Sequence, residues 1–193
     1  MPQSLLSRRA RSPPPPPSNA RAVQEGSSWL FPDAWERYLA PIPEAERGDL
    51  VRAYHARLTS DDAAVRAAAC VAWSVWEATT SKLLEDAELV ESFAGPMAES
   101  LARIECHYFV NSGFLGPDNH LLHPARCARI AHIPTVIVQG RYDLVCPMKS
   151  AWDLHKLLPA AQFVVVPDAG HSAFDVGNQR ALLDATDAFR AVR

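Results

Sequence analysis

Ile133-Pro134-Thr135-Val136-Ile137-Val138-Gln139-Gly140, followed by Arg141-Tyr142-Asp143, is the stretch on which the fold turns. A short β-branched run closed by glycine predicts a buried strand. Asp143 then falls just past the strand's carboxyl end. A second run of the same kind, Gln162-Phe163-Val164-Val165-Val166-Pro167, leads into Asp168-Ala169-Gly170-His171-Ser172. Between them Ser150 to Leu158 predicts a helix closed by Pro159. Beyond them Arg180 to Val192 predicts a terminal helix, with Leu182, Leu183, Ala185, Thr186 and Phe189 periodic. Strand, loop, helix, strand, loop, helix is the order of parallel strands joined by crossover helices, so the fold class expected is α/β. Two parallel strands cannot bury both faces alone, and a larger sheet is expected around them.

Upstream, from Trp29 to about Ala128, the chain reads as helices. Asp33 is placed to cap a short helix containing Trp35 and Tyr38, which Pro41 and Pro43 break. Pro43-Glu44-Ala45-Glu46-Arg47 starts the next, with proline in its first turn and acids at its positive end. Leu50, Val51, Tyr54 and Leu58 then lie on one helical face. Ser60-Asp61-Asp62 caps a helix running through Val65, Ala69, Ala72, Trp73 and Trp76. Asp86 to Phe93 and Met97 to Phe109 predict two more, ended by Gly113, Gly116 and Pro117.

Residues 1–23 do not read as folded. Arg8, Arg9, Arg11 and Arg21 are basic, no acid precedes Glu25, and Pro13 to Pro17 are consecutive, which favours polyproline II over helix or central strand. The segment is expected to be a disordered, proline-rich leader, with an organellar transit peptide as the alternative.

Composition excludes several classes. At 48% hydrophobic and 21% charged residues, the chain can build a core. A net charge of −3 gives no electrostatic case for nucleic acid. No apolar run approaches the length of a membrane span. Cys70, Cys106, Cys127 and Cys146 are scattered without a C-x-x-C pair, which points to reduced thiols in the cytoplasm rather than a disulfide scaffold. His120-x-x-His123 and Cys106-His107 lack further ligands at suitable spacing, so no metal is expected.

Asp143 and His171 are 28 residues apart, one β-α-β step, which places both at neighbouring strand ends. Taken singly, Asp143 reads as a helix-capping loop carboxylate and His171 as a loop histidine. Together, in acid-then-histidine order, they read as catalytic. The carboxylate accepts a hydrogen bond from one imidazole nitrogen and leaves the other to act as base. The order is that of α/β-hydrolases, Ser then Asp then His. Cys146 lies close behind the acid but has no base other than His171, and is not read as the nucleophile.

Several long segments, in one order, resemble proline iminopeptidases (prolyl aminopeptidases). They are Trp29-Leu30-Phe31-Pro32-Asp33, Pro41-Ile42-Pro43-Glu44-Ala45-Glu46-Arg47, Ala72-Trp73-Ser74-Val75-Trp76-Glu77, Ala102-Arg103-Ile104-Glu105-Cys106-His107-Tyr108-Phe109, Val138 to Pro147, and Pro167 to Ser172. The resemblance spans roughly residues 24–190. It implies a helical cap domain over 24–130, the C-terminal portion of an α/β-hydrolase core with a truncated parallel sheet over 131–193, and removal of N-terminal proline from peptides without a cofactor. It implies too that Glu77 and Glu105 hold the substrate's terminal amine and that Phe109 packs the pyrrolidine ring. Two carboxylates suit a secondary ammonium. They repel each other, so one pKa is expected to rise until a cation enters. Phe109, four residues after Glu105, shares its helical face.

The resemblance further implies a serine on a G-x-S-x-G elbow. This sequence contains no such pentad. The expectation is therefore a serine peptidase's acid and histidine without the nucleophile, inactive alone, with a complementing N-terminal hydrolase segment as a possible partner. The alternative is a non-catalytic remnant that binds peptides or a partner.

Overall fold

The computed structural model describes residues 26–115 and 121–190. Five helices come first: α1 (Pro32–Leu39), α2 (Leu50–Leu58), α3 (Ala63–Ser81), α4 (Ala87–Phe93) and α5 (Ala98–Val110). Then follow α6 (Pro124–Ala128), β1 (Val136–Gly140), α7 (Met148–Leu157), β2 (Gln162–Val166) and α8 (Val176–Phe189). The leader expected over residues 1–23 lies outside the described residues.

Acidic caps start three of the helices by satisfying amides that the helix itself leaves unpaired. Asp49 accepts from Arg52 N (3.2 Å), Asp62 from Ala64 N and Val65 N (2.8 and 3.3 Å), and Asp86 from Leu89 N (3.0 Å). Two sequence expectations shift. Asp33 sits in the first turn of α1 and does not cap it; Phe31 holds the cap position. Pro43 opens a 3-10 turn over Glu44–Asp49, and the α-helix begins only where Asp49 can cap it.

Helices α1, α2, α3 and α5 enclose one core of Tyr38, Ile42, Tyr54, Leu58, Trp73, Trp76, Ala102 and Cys106. Its centre is aromatic. Tyr38 stacks on Tyr54 (centroids 4.6 Å apart) and on Trp76 (5.4 Å), and Trp73 meets Tyr54 edge-on (5.2 Å). Such pairs contribute beyond their buried area. The Tyr54 hydroxyl, wholly buried, donates to the Tyr38 carbonyl. From α3, Ala69 and Cys70 are buried in this core beside the two tryptophans.

The C-terminal segment forms a second layer. β1 and β2 pair in parallel, Val136 opposite Gln162 through Gly140 opposite Val166, as the sequence order predicts. Helices α7 and α8 pack on the sheet, and Cys127 of α6 joins Leu158 and Ala161 in a small cluster. The strands were expected to be buried. They are only partly so: in β1 just Gln139 and Gly140 are buried, in β2 just Val166. Two strands lack the neighbours that would cover their apolar side chains. The terminal helix starts at Val176, four residues ahead of the expected Arg180. Among the described residues no helix is long and apolar enough to cross a membrane.

Leu58 is 1% exposed at the centre of the helical core. Leu58→Ala is expected to cost roughly 3 kcal/mol, lost transfer energy plus a cavity. Denaturant unfolding checks this, and a loss below about 1 kcal/mol would show that the helical layer repacks freely.

Candidate active site

The site forms where the two layers meet. α3 ends at Ser81, and its last carbonyls have no partners within the helix. The Ser81 carbonyl instead accepts from both His171 N and Ser172 N, each at 2.9 Å. The approach needs glycine. A Cβ on Gly170 would lie 2.8 Å from Leu83 N and 3.2 Å from Ser81 O. A Cβ on Gly140, at the end of β1, would overlap the Gly170 carbonyl. The strand end, the histidine loop and the end of α3 therefore close on one another through backbone alone.

Asp143 and His171 meet as expected: His171 Nδ1 lies 3.1 Å from Asp143 Oδ2. The carboxylate is nearly enclosed, its side chain 7% exposed, and three donors converge on it. Beside His171, the Gln139 amide donates to Oδ2 (3.1 Å) and Cys146 N to Oδ1 (2.7 Å). Gln139 is itself buried, and its amide also reaches the Gly140 and Cys146 carbonyls, both at 3.2 Å. Two donors besides the imidazole thus hold the carboxylate in place. The hydrogen bond to Asp143, and after it that to the Cys146 thiol, holds His171 up at about 10, against the opposing effect of burial. Cys146 is exposed beside the ring; Cys70, Cys106 and Cys127 are buried, and all four are free thiols.

Glu77 and Glu105 come together with this pair. Glu77 is one turn before Ser81 on α3, and Glu105 projects from α5. Burial pushes Glu77 up to about 8, the Glu105 charge adds to this, and His171 pulls against it. Glu105 is raised as well, again chiefly by burial, and is opposed by a hydrogen bond from Trp73 and by His171. Trp73 Nε1 donates to Glu105 Oε2 at 2.8 Å. Phe109 lies on α5 four residues beyond Glu105, its ring centroid 6.0 Å from that of Trp73. Two partly buried acids thus stand close enough to each other and to the imidazole to shift one another's protons, with Phe109 one helical turn beyond Glu105. Such a pair of acids gains a favourable charge when a cation enters and gives up protons as it does so.

A profile of the alpha/beta hydrolase fold matches residues 5–178. The chain belongs to the alpha/beta hydrolase fold family. Curated relatives similar to the chain include the following. A probable proline iminopeptidase of Leptolyngbya boryana is 60% identical over 169 residues, 87% of this chain and 52% of the relative. A proline iminopeptidase of Xylella fastidiosa is 56% identical over 86% of this chain and 53% of its own length. That of Arabidopsis thaliana is 48% identical over 86% of this chain and 44% of its own. The chain spans about half the length of the curated relatives it matches. The family resemblance read from the motifs therefore stands, and the hydrolase fold places Asp143 and His171 at successive strand ends.

Reading the sequence did not single out Trp73, Ser81, Gln139, Asp175 or Asn178, each of which holds a member of this site. His120 lies outside the described residues, and His123 caps α6 by accepting from Ala125 N (3.2 Å).

The titrations make stability fall with rising pH. The folded state keeps the Glu77 proton between the ordinary 4.5 and about 8, and the His171 proton between 6.5 and about 10, while the unfolded chain has released both. The unfolded state then binds fewer protons, which lowers stability as pH rises through those windows. The melting temperature is expected to decline from about pH 5 to about pH 10, with Glu77→Gln flattening the part below about 8. Parallel curves for variant and wild type would contradict the assignment.

Proposed function

We propose that the chain supplies the cap and the acid–histidine end of a serine-type proline iminopeptidase, which hydrolyses N-terminal proline from peptides. The observation that carries this reading is the nearness of the His171–Asp143 pair to Glu77 and Glu105, whose protons the imidazole charge acts upon. Glu77 and Glu105 hold the secondary ammonium of the substrate, and Phe109 packs its pyrrolidine ring. No Gly-x-Ser-x-Gly pentad occurs in these 193 residues, so the nucleophile in this reading comes from a complementing N-terminal hydrolase segment. The serine hydroxyl gives its proton to His171 Nε2 as its oxygen attacks the prolyl carbonyl. Asp143 holds the ring through Nδ1. The proton then passes to the departing amine nitrogen, and water releases the acyl group by the same steps. The four free thiols support a reducing, cytoplasmic setting.

A second reading rests on His171 itself. Held at about 10, the ring carries its proton at neutral pH and is a donor rather than a base. On that ground the chain alone binds prolyl peptides without turning them over.

Hydrolysis of a prolyl-arylamide by the chain together with a segment bearing the pentad separates the two. The peptidase reading expects release of the chromophore at least about 100-fold above His171→Ala. Equal rates with and without His171 would discard it. The binding reading expects prolyl-peptide affinity to fall about tenfold or more in Glu77→Ala and Glu105→Ala, and unchanged affinity in both would discard that.

Entry of the ammonium should also drive a proton off Glu77, since a neighbouring cation favours the carboxylate. Calorimetry near pH 7 in two buffers of different ionisation enthalpy is expected to show net proton release on binding of a prolyl peptide, absent in Glu77→Gln. Identical heats in the two buffers would show that the Glu77 proton does not leave.

A further inference from the structure

The histidine loop is held from two sides, and only one of them is the end of α3. On the other, the start of α8 reaches back to the residues around His171. Asp175, at the helix cap, accepts from Gly170 N at 2.7 Å. Asn178, in the first turn and 4% exposed, donates through Nδ2 to the Gly170 carbonyl (3.0 Å) and to the Ser172 carbonyl (2.9 Å). These two carbonyls bracket His171. With both amide protons so used, the side-chain oxygen of Asn178 is buried with no partner. Turning the amide over would set that oxygen against two carbonyl oxygens, so the orientation is fixed by the loop. A buried acceptor left unpaired is a cost that only the donor end can offset.

We infer that Asn178 is the positioning residue for His171: by tying together the carbonyls on either side of it, the amide holds the imidazole against Asp143. The inference rests on the reading of His171 as the reactive imidazole. It is independent of which peptides bind. The loop's backbone donors at Gly170, His171 and Ser172 are taken by Asp175 and Ser81, so Asn178 supplies the missing half, the donors for its carbonyls. Without them the loop keeps its amide anchors on Ser81 and Asp175, but the carbonyls on either side of His171 are no longer tied together. The charged and titratable groups that face the ring are Asp143 and Cys146 from the loop after β1, Glu77 from α3 and Glu105 from α5. Asn178 is not among them, so its replacement by an uncharged side chain acts on the ring only through geometry.

The test is histidine NMR on the full chain, wild type against Asn178→Leu, which keeps the volume and removes the donors. The His171 pKa is expected to fall by more than one unit in the variant, with the Nδ1 signal losing its hydrogen-bonded shift. Wild-type titration of His171 in a folded Asn178→Leu protein would overturn the inference. A measurement on the unaltered protein decides the matter should the variant not fold. The Asn178 side-chain amide protons are expected to exchange with water at least about 100-fold more slowly than those of the exposed Asn111. Equal exchange would overturn the inference as well. Neither readout uses substrate or turnover, so failure of the peptidase reading leaves both intact.

Discussion

The structure depends on one carbonyl. Ser81 O, at the open end of α3, takes two amides from the histidine loop and thereby joins the helical layer to the sheet layer. A helix terminus has carbonyls to spare, and its negative end suits neighbouring donors and cations. Here that capacity is turned on the loop carrying His171. Gly140 and Gly170 admit the contact because nothing larger than hydrogen fits between the strand end, the loop and the helix end.

The chemistry of the two acids follows from burial more than from charge pairing. Glu77 is raised chiefly because it is enclosed, and the nearby Glu105 charge is a smaller addition. Trp73 tips the balance between the two acids by donating to Glu105 alone. Two like residues thereby acquire different proton affinities, the usual means by which one site holds a proton and a charge side by side.

Much of this was legible in the sequence. The strands are β-branched runs closed by glycine or proline, and the chemistry-bearing residues of such sheets lie just past their carboxyl ends, so Asp143 and His171 could be read together. The acids at Asp62 and Asp86 announced their helices. Glu77, Glu105 and Phe109 came from the resemblance, because an acid or aromatic on an amphipathic helix has no local mark of function. Gln139 and Asn178 were illegible for another reason. Each works through a neutral amide, Gln139 on the Asp143 carboxylate and nearby carbonyls and Asn178 on two loop carbonyls, and a neutral amide carries no mark of such a role in sequence. Asn178 was further hidden because Gly177 and Asn178 are poor helix formers that nevertheless occupy the first turn of α8. Gly177 is there for space, since a side chain would run into Val166. The partial exposure of β1 and β2 departs from the buried strands that their β-branched runs predict, because two strands cannot shelter each other on both faces.

Trp73, Glu77 and Ser81 follow one another at intervals of four on α3. At about 1.5 Å of rise per residue, the tryptophan that steadies Glu105 and the carbonyl that steadies His171 are about 12 Å apart along one rigid rod, with Glu77 midway. In the proposed peptidase this rod would be a ruler. The acid proposed to hold an amine and the anchor of the histidine loop are separated by a length of hydrogen-bonded helix, which cannot stretch. One added residue between Glu77 and Ser81 would swing the two by about 100° relative to each other. On that proposal the site would count residues from the end of its substrate by construction, and changes in what it recognises would have to be made in side chains, since the spacing itself has no freedom.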